Sequence, residues 1–148
     1  MKKFFALFML LISISTLLSA QSVALVKSVK GEVNVTHESK IMSKLKVGDK
    51  IFVKDYIKTN ENSNVGLIFE DNTLISIGSN SEFSVDEYLF EPADKKVKFG
   101  SNLLKGTMAC ITGLIPKINP DAMVIKTKSA SIGIRGTYFV VEAKEWDI

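Results

Sequence analysis

A reaction could be built here on one histidine, one cysteine and two pairs of adjacent carboxylates. His37 lies in "THESK", a polar turn, and reads as a solvated side chain. A nucleophile needs a base within hydrogen-bond reach, and Cys110 is 73 positions away in "GTMACITG". Surrounded by small and apolar residues, Cys110 reads as a buried small hydrophobe. One His and one Cys without paired spacing do not make the usual zinc site. Glu70-Asp71 and Asp86-Glu87 sit at strand ends or turns, where solvated charges are common. The chain carries no calcium loop of alternating acids, no phosphate loop, no nucleophile elbow and no dinucleotide fingerprint. No catalytic residue, cofactor or metal ligand is assigned, and a non-enzymatic role is expected.

The segment "SASIGIRGTYFVVE", Ser129 to Glu142, poses a sharper question. A glycine loop with an arginine can cradle an anion, but that geometry relies on a following helix N-terminus. Here Thr137 and the strand former Tyr138–Val141 follow. The alternative is a corner. Gly133 and Gly136 permit bends or close backbone approach, Ile132 and Ile134 share a face, and Arg135 falls on the other. There its guanidinium can meet a carboxylate or cap carbonyls. Gly133, Arg135, Gly136 and Thr137 are therefore expected to form a structural corner rather than a ligand loop.

The elements that must position these residues read as strands. "GEVNVT" alternates, with Val33 and Val35 on one face. "KIFVKDYIKT" puts Ile51, Val53 and Ile57 on one face, broken by Asp55. "NVGLIFE" places Val65, Leu67 and Phe69 together with Ile68 opposite. "EFSVDEYLF", "KVKF", "AMVIKT" and "TYFVVE" complete the set. Alternation over four to eight residues marks half-buried strands. Clusters such as "NENSN", "EDNT", "GSNS" and "EPADKK", and glycines 100, 106 and 113, read as interruptions. "FEDNTLI" reads as a hairpin about Asp71-Asn72, and one helical turn is expected near Ile115 to Asn119. Lys58, Lys96, Lys98 and Lys126 fall on outward or edge-like positions. The expected fold is all-β: short antiparallel strands in a two-sheet sandwich or a solenoid-like twisted roll. Tyr88, Leu89 and Phe90 form an aromatic cluster that serves either as core or, through Tyr88 and Phe90, as a contact surface.

The first residues have another layout. Lys2 and Lys3 precede an uncharged apolar stretch from Phe4 to Leu18, then Ser19 and Ala20. This is the pattern of a secretory signal peptide, helical and too short for a typical membrane span. Residues 1–20 are expected to be removed after Ala20, leaving residues 21–148 as one domain. An uncleaved anchor through residues 4–18 is the alternative, and the sole membrane contact expected. Cleavage takes two lysines from the 19 Lys and Arg, leaving 17 against 16 acids. A near-neutral exported domain without a basic patch is not a nucleic-acid binder.

Taken in order, Gly31-x-Val33-x-Val35, Gly48-Asp49, Thr59, "DNTLISIGSNSEFSVDEYLFEP", "LLKGTMACITG" and "IGIRGT" resemble the FecR domain over about residues 30–142. The resemblance implies the periplasmic portion of iron-uptake regulators, a domain also found in other exported proteins. In regulators it implies a cytoplasmic segment controlling a sigma factor, a membrane helix, and contact between the outer domain and a receptor. Only three residues precede the apolar stretch, so direct sigma-factor control is not expected. The resemblance supplies no catalytic residues. What it implies is a periplasmic or secreted interaction or sensing module with a protein partner in the envelope. A domain that binds envelope polymer or glycan is the alternative, and an enzyme the remaining one.

Overall fold

The computed structural model describes residues 20–38 and 41–145. The leader helix expected from the apolar run of residues 4–18 lies outside the described residues. The strands are β1 (Ala24–Lys30), β2 (Val33–Thr36), β3 (Met42–Lys44), β4 (Lys50–Ile51), β5 (Tyr56–Thr59), β6 (Asn64–Phe69) and β7 (Leu74–Ile77). They continue with β8 (Glu82–Glu91), β9 (Lys96–Ile111), β10 (Met123–Lys126), β11 (Ser131–Gly133) and β12 (Tyr138–Ala143). A single helical turn, Ile115–Ile118, follows β9.

All twelve strands join one curled sheet, a half-barrel that is antiparallel except where β10 runs parallel to β9. The expected pair of sheets is thus one continuous sheet folded onto itself. Strand β9 makes this possible. Its first half pairs with β8 and β10, and its second half with β7 and β12. One side of the roll therefore runs β4-β1-β6-β7-β9-β12, and the other β3-β2-β5-β8-β9-β10-β11.

Gly100 and Gly106 read as interruptions in the sequence, but β9 runs through both. Gly106 is where it turns from one side to the other. Its φ is +94°, and a Cβ there would come within 2.6 Å of the Ser81 Cα. Only glycine combines that backbone with that approach. "KIFVKDYIKT" is likewise not one strand. β4 pairs with β1 on one side of the roll, and β5 pairs with β2 and β8 on the other. The crossover between them turns at Lys54, where φ is +74°. The Asp55 carboxylate closes it by accepting the Phe52 N–H at 2.9 Å.

Alternating apolar residues from both sides meet inside: Leu67, Phe69, Ile75, Ile77 and Met108 against Val35, Ile57, Phe83, Phe99 and Ile125, all buried. Burying one such side chain stabilises the fold by roughly 1.5–3 kcal/mol. A bulge between Val85 and Glu87 shifts the parity of β8. That is why Phe83 and Val85 face inward at odd positions while Tyr88 and Phe90 do so at even ones.

Buried hydroxyls serve the backbone at the crossings, as buried polar groups must. Thr59 Oγ1 donates to the Gly78 carbonyl at 2.6 Å and accepts the Ser81 N–H at 2.9 Å. Ser63 Oγ accepts the Glu32 N–H at 2.8 Å. The lysines expected at outward or edge-like positions point outward, from interior strands. Lys58 pairs with Glu82 at 3.5 Å, and Lys98 with Glu87 at 2.7 Å.

Candidate interaction surfaces

The residues whose types could do chemistry are held apart. His37 follows β2 and is half-buried, not a free turn side chain: its Nδ1 lies 2.7 Å from Asp55 Oδ1. Asp55 is buried and committed to the Phe52 turn as well. Cys110 is fully buried in β9, and burial, helped by the Asp71 charge, pushes its thiol up to about 12. A thiol held neutral in this way is a poor nucleophile. The two members of each carboxylate pair have different surroundings. Asp86 accepts the Ser84 hydroxyl at 2.8 Å, while Glu87 faces solvent beside Lys98. Glu70 is exposed, whereas Asp71 is completely buried, which corrects its reading as a solvated charge. Among the described residues no three His, Cys, Asp or Glu side chains gather as a metal site.

Asp71 is a structural hub. Its carboxylate accepts the Thr73 hydroxyl at 2.7 Å, the Thr73 N–H at 3.2 Å and the Ile115 N–H at 3.2 Å. The Tyr88 hydroxyl adds a fourth bond at 3.1 Å. Tyr88 thus points inward, where its ring packs on Phe69 and Phe99 at centroid distances of 5.6 and 5.5 Å. Burial and the Asp71 charge raise its phenol well above the usual tyrosine range. Phe90 is half-buried against the core, and Leu89 is exposed between them. The outer parts of Tyr88, Leu89 and Phe90 line a cleft of about 410 Å³ with Phe52, Lys54 and Glu91.

The glycine-arginine segment forms a bend between β11 and β12. No Cβ contact constrains Gly133, while Gly136 has a φ of +123°. Thr137 has a φ of +109°, a conformation that a β-branched residue rarely adopts. Two hydrogen bonds hold it there: its N–H donates to Thr112 Oγ1 at 2.8 Å, and its carbonyl accepts the Thr112 N–H at 2.9 Å. Arg135 is turned to solvent, with one contact of 3.4 Å to the equally exposed Asp121. A strand follows the bend, so no helix N-terminus addresses it.

A surface that the sequence reading did not single out lies on the outer face of the roll. Strand register places Leu25 opposite Ile68, Ile68 opposite Leu74, Leu74 opposite Ile111, and Ile111 opposite Tyr138. Five apolar side chains from five strands therefore stand in one row. The adjoining row is Gly66, Ser76, Ala109 and Val140, whose small members leave a shallow groove of about 360 Å³. Tyr138 is 65% exposed, Val140 59% and Ile111 49%. Single exposed apolar residues are ordinary, whereas a contiguous row across five strands is a candidate interaction surface.

A family model described as FecR protein matches residues 55–148. The match begins at Asp55, downstream of the Gly31–Val35 opening. No curated protein matches the chain. A solved structure described as a cell surface anchoring domain is similar at 27% identity, covering 42% of this chain and 82% of that one, with a TM-score of 0.41.

Proposed function

This chain belongs to the FecR family, and from that premise we propose that it is a non-catalytic protein-interaction module of the cell envelope. The observation that carries this reading is the apolar row Leu25–Ile68–Leu74–Ile111–Tyr138 on the outer face. A sheet face that is apolar across five adjacent strands, ending at Lys50 beside Leu25, is suited to a protein surface, because desolvating its apolar part is favourable. The basic tip and apolar run of residues 2–18 support export. No helix among the described residues is long and apolar enough to cross a membrane.

The test is capture of crosslinked partners from an envelope extract with three forms of the exported protein. Unmodified protein should retain a reproducible partner. Ile111→Lys, which puts a charge in the middle of the row, should lose it. Leu89→Lys, in the cleft beside Tyr88 and Phe90, should keep it. Loss with Leu89→Lys alone would move the binding surface to the cleft. Retention with both variants, or co-sedimentation with purified peptidoglycan that Ile111→Lys leaves unchanged, would overturn the reading.

A further inference from the structure

Among the described residues, strand β12 is the outermost strand on its side of the roll, bonded to β9 alone, with its second edge open. Hydrogen bonds fix which residues that edge presents. The Thr107 carbonyl accepts the Gly78 N–H on the β7 side, and the Thr112 N–H donates to the Thr137 carbonyl on the β12 side. Odd residues of this half of β9 therefore turn their backbone to β7, and even ones to β12. In register, Phe139 and Val141 bond inward to β9. That leaves the N–H and C=O groups of Tyr138, Val140 and Glu142 directed outward.

The strands that end the sheet elsewhere are short: β3 has three residues including Lys44, β4 has two including Lys50, and β11 has three, while the free stretch of β8 beyond Val85 carries Asp86, Glu87 and Glu91. Short, lysine-bearing edges resist strand pairing. β12 is six residues long, "YFVVEA", with no lysine, proline or glycine. Its own residues match an inverted copy of themselves. With Val140 facing Val140, Tyr138 stands opposite Glu142 and Phe139 opposite Val141. This register uses the outward backbone groups in bonded pairs.

We infer that the protein self-associates as a two-fold dimer through antiparallel β12–β12 pairing centred on Val140. Such an axis stands perpendicular to the sheet. It leaves the outer faces of both copies on one side, so the two apolar rows form one wider surface. The inference rests on the reading of that face as a binding surface only for this last consequence; the pairing itself is an edge contact.

The test is sedimentation velocity and disulfide trapping of the exported protein. Buried Cys110 does not compete for trapping. A concentration-dependent dimer is expected, weakened about tenfold or more by Val140→Lys, an edge charge of the kind that blocks pairing. Because Val140 is exposed, near-ultraviolet circular dichroism of that variant should match the parent. Val140→Cys should trap a dimer with itself. Tyr138→Cys should be trapped with Glu142→Cys and not with itself. A monomer at every concentration, a dimer unaffected by Val140→Lys, or trapping of Tyr138→Cys with itself would each overturn the inference. Each result stands apart from the partner capture above: Ile111→Lys leaves the edge backbone intact, and the cysteine pairs read strand register, which the outer face does not set.

Discussion

Tyr88 and Asp71 hold each other through two hydrogen bonds: the hydroxyl donates to Asp71 Oδ1 at 3.1 Å and accepts the Asp71 N–H at 3.0 Å. The pair ties β8 to the β6–β7 turn. Asp71 also accepts the Ile115 N–H, so three stretches of chain distant in sequence converge on one carboxylate. An unpaired buried donor or acceptor costs about 1–3 kcal/mol. Tyr88→Phe should lower stability by about that much, read as a shift in the urea midpoint at constant slope. Asp71→Ala removes the partner of every donor at the hub and should cost more than Tyr88→Phe. Equal, small effects from the two substitutions would show that another contact closes the roll.

The bend in β9 makes a second demand. Gly106→Ala meets both a positive φ and the Ser81 backbone, with Ser81 Cα 2.6 Å from the new Cβ. Overpacking of this kind costs about 1–3 kcal/mol, and the left-handed backbone adds about 1–2 kcal/mol. Trimming the neighbour with Ser81→Gly should not rescue it, because the obstructing Cα remains. Ser81→Gly also deletes the hydroxyl that accepts the Thr107 N–H at 3.0 Å. Thermal unfolding of the two single variants and the double variant decides the point; restored stability in the double variant would place the obstruction in the side chain alone.

Much of this architecture is legible in the residues themselves. Val33 and Val35 alternate as a strand should, Asp71-Asn72 marks its hairpin, and the helical turn lies at Ile115–Ile118. Strand β1 hides because a bulge between Val26 and Ser28 breaks its alternation. β9 hides its length because Gly100 and Gly106 look like stops when judged locally. Asp71 looks like a solvated turn residue, although Thr73 two positions on is the partner that an Asx-type turn uses. The outer row could not be read from spacing. Leu25, Ile68, Leu74, Ile111 and Tyr138 are neighbours only through strand register, and the sole local hint is Ile68, set opposite Val65, Leu67 and Phe69. Arg135 stands out in the sequence, yet in the fold it meets little besides solvent.

That contrast gives a third expectation. Arg135 and Asp121 are both about four-fifths exposed at 3.4 Å, and exposed ion pairs contribute about 0–1 kcal/mol. Arg135→Ala should therefore leave the unfolding midpoint nearly unchanged. The strain sits two residues on. Thr137→Gly relieves a left-handed φ that costs a non-glycine residue about 1–3 kcal/mol, offset by roughly 0.5–1 kcal/mol of added freedom in the unfolded chain. The expected net effect is modest stabilisation. Thr112→Ala, which strips the acceptor from the Thr137 N–H, should act in the opposite direction. A large loss on Arg135→Ala would reassign the corner's stability to its guanidinium.

Cys110 supplies a pH dependence whose sign follows from burial. The folded thiol is pushed up to about 12 from an ordinary value of 9.0. Below pH 9 both folded and unfolded chains keep the proton, and the thiol's contribution to stability is fully present. Above it the unfolded chain ionises first, so that contribution falls as pH rises from 9 toward 12. Stability should therefore decline across that window, and Cys110→Ala should flatten the decline even though the lost sulfur costs some stability at neutral pH. The buried phenol of Tyr88 adds a loss of the same sign at higher pH. Urea titrations of both proteins at stepped pH measure the slopes. Alkylation gives an independent check: at pH 8 iodoacetamide should modify the native protein far more slowly than the urea-unfolded one. Equal alkylation rates would show that the sulfur reaches solvent, and parallel pH slopes would show that other groups govern unfolding in base.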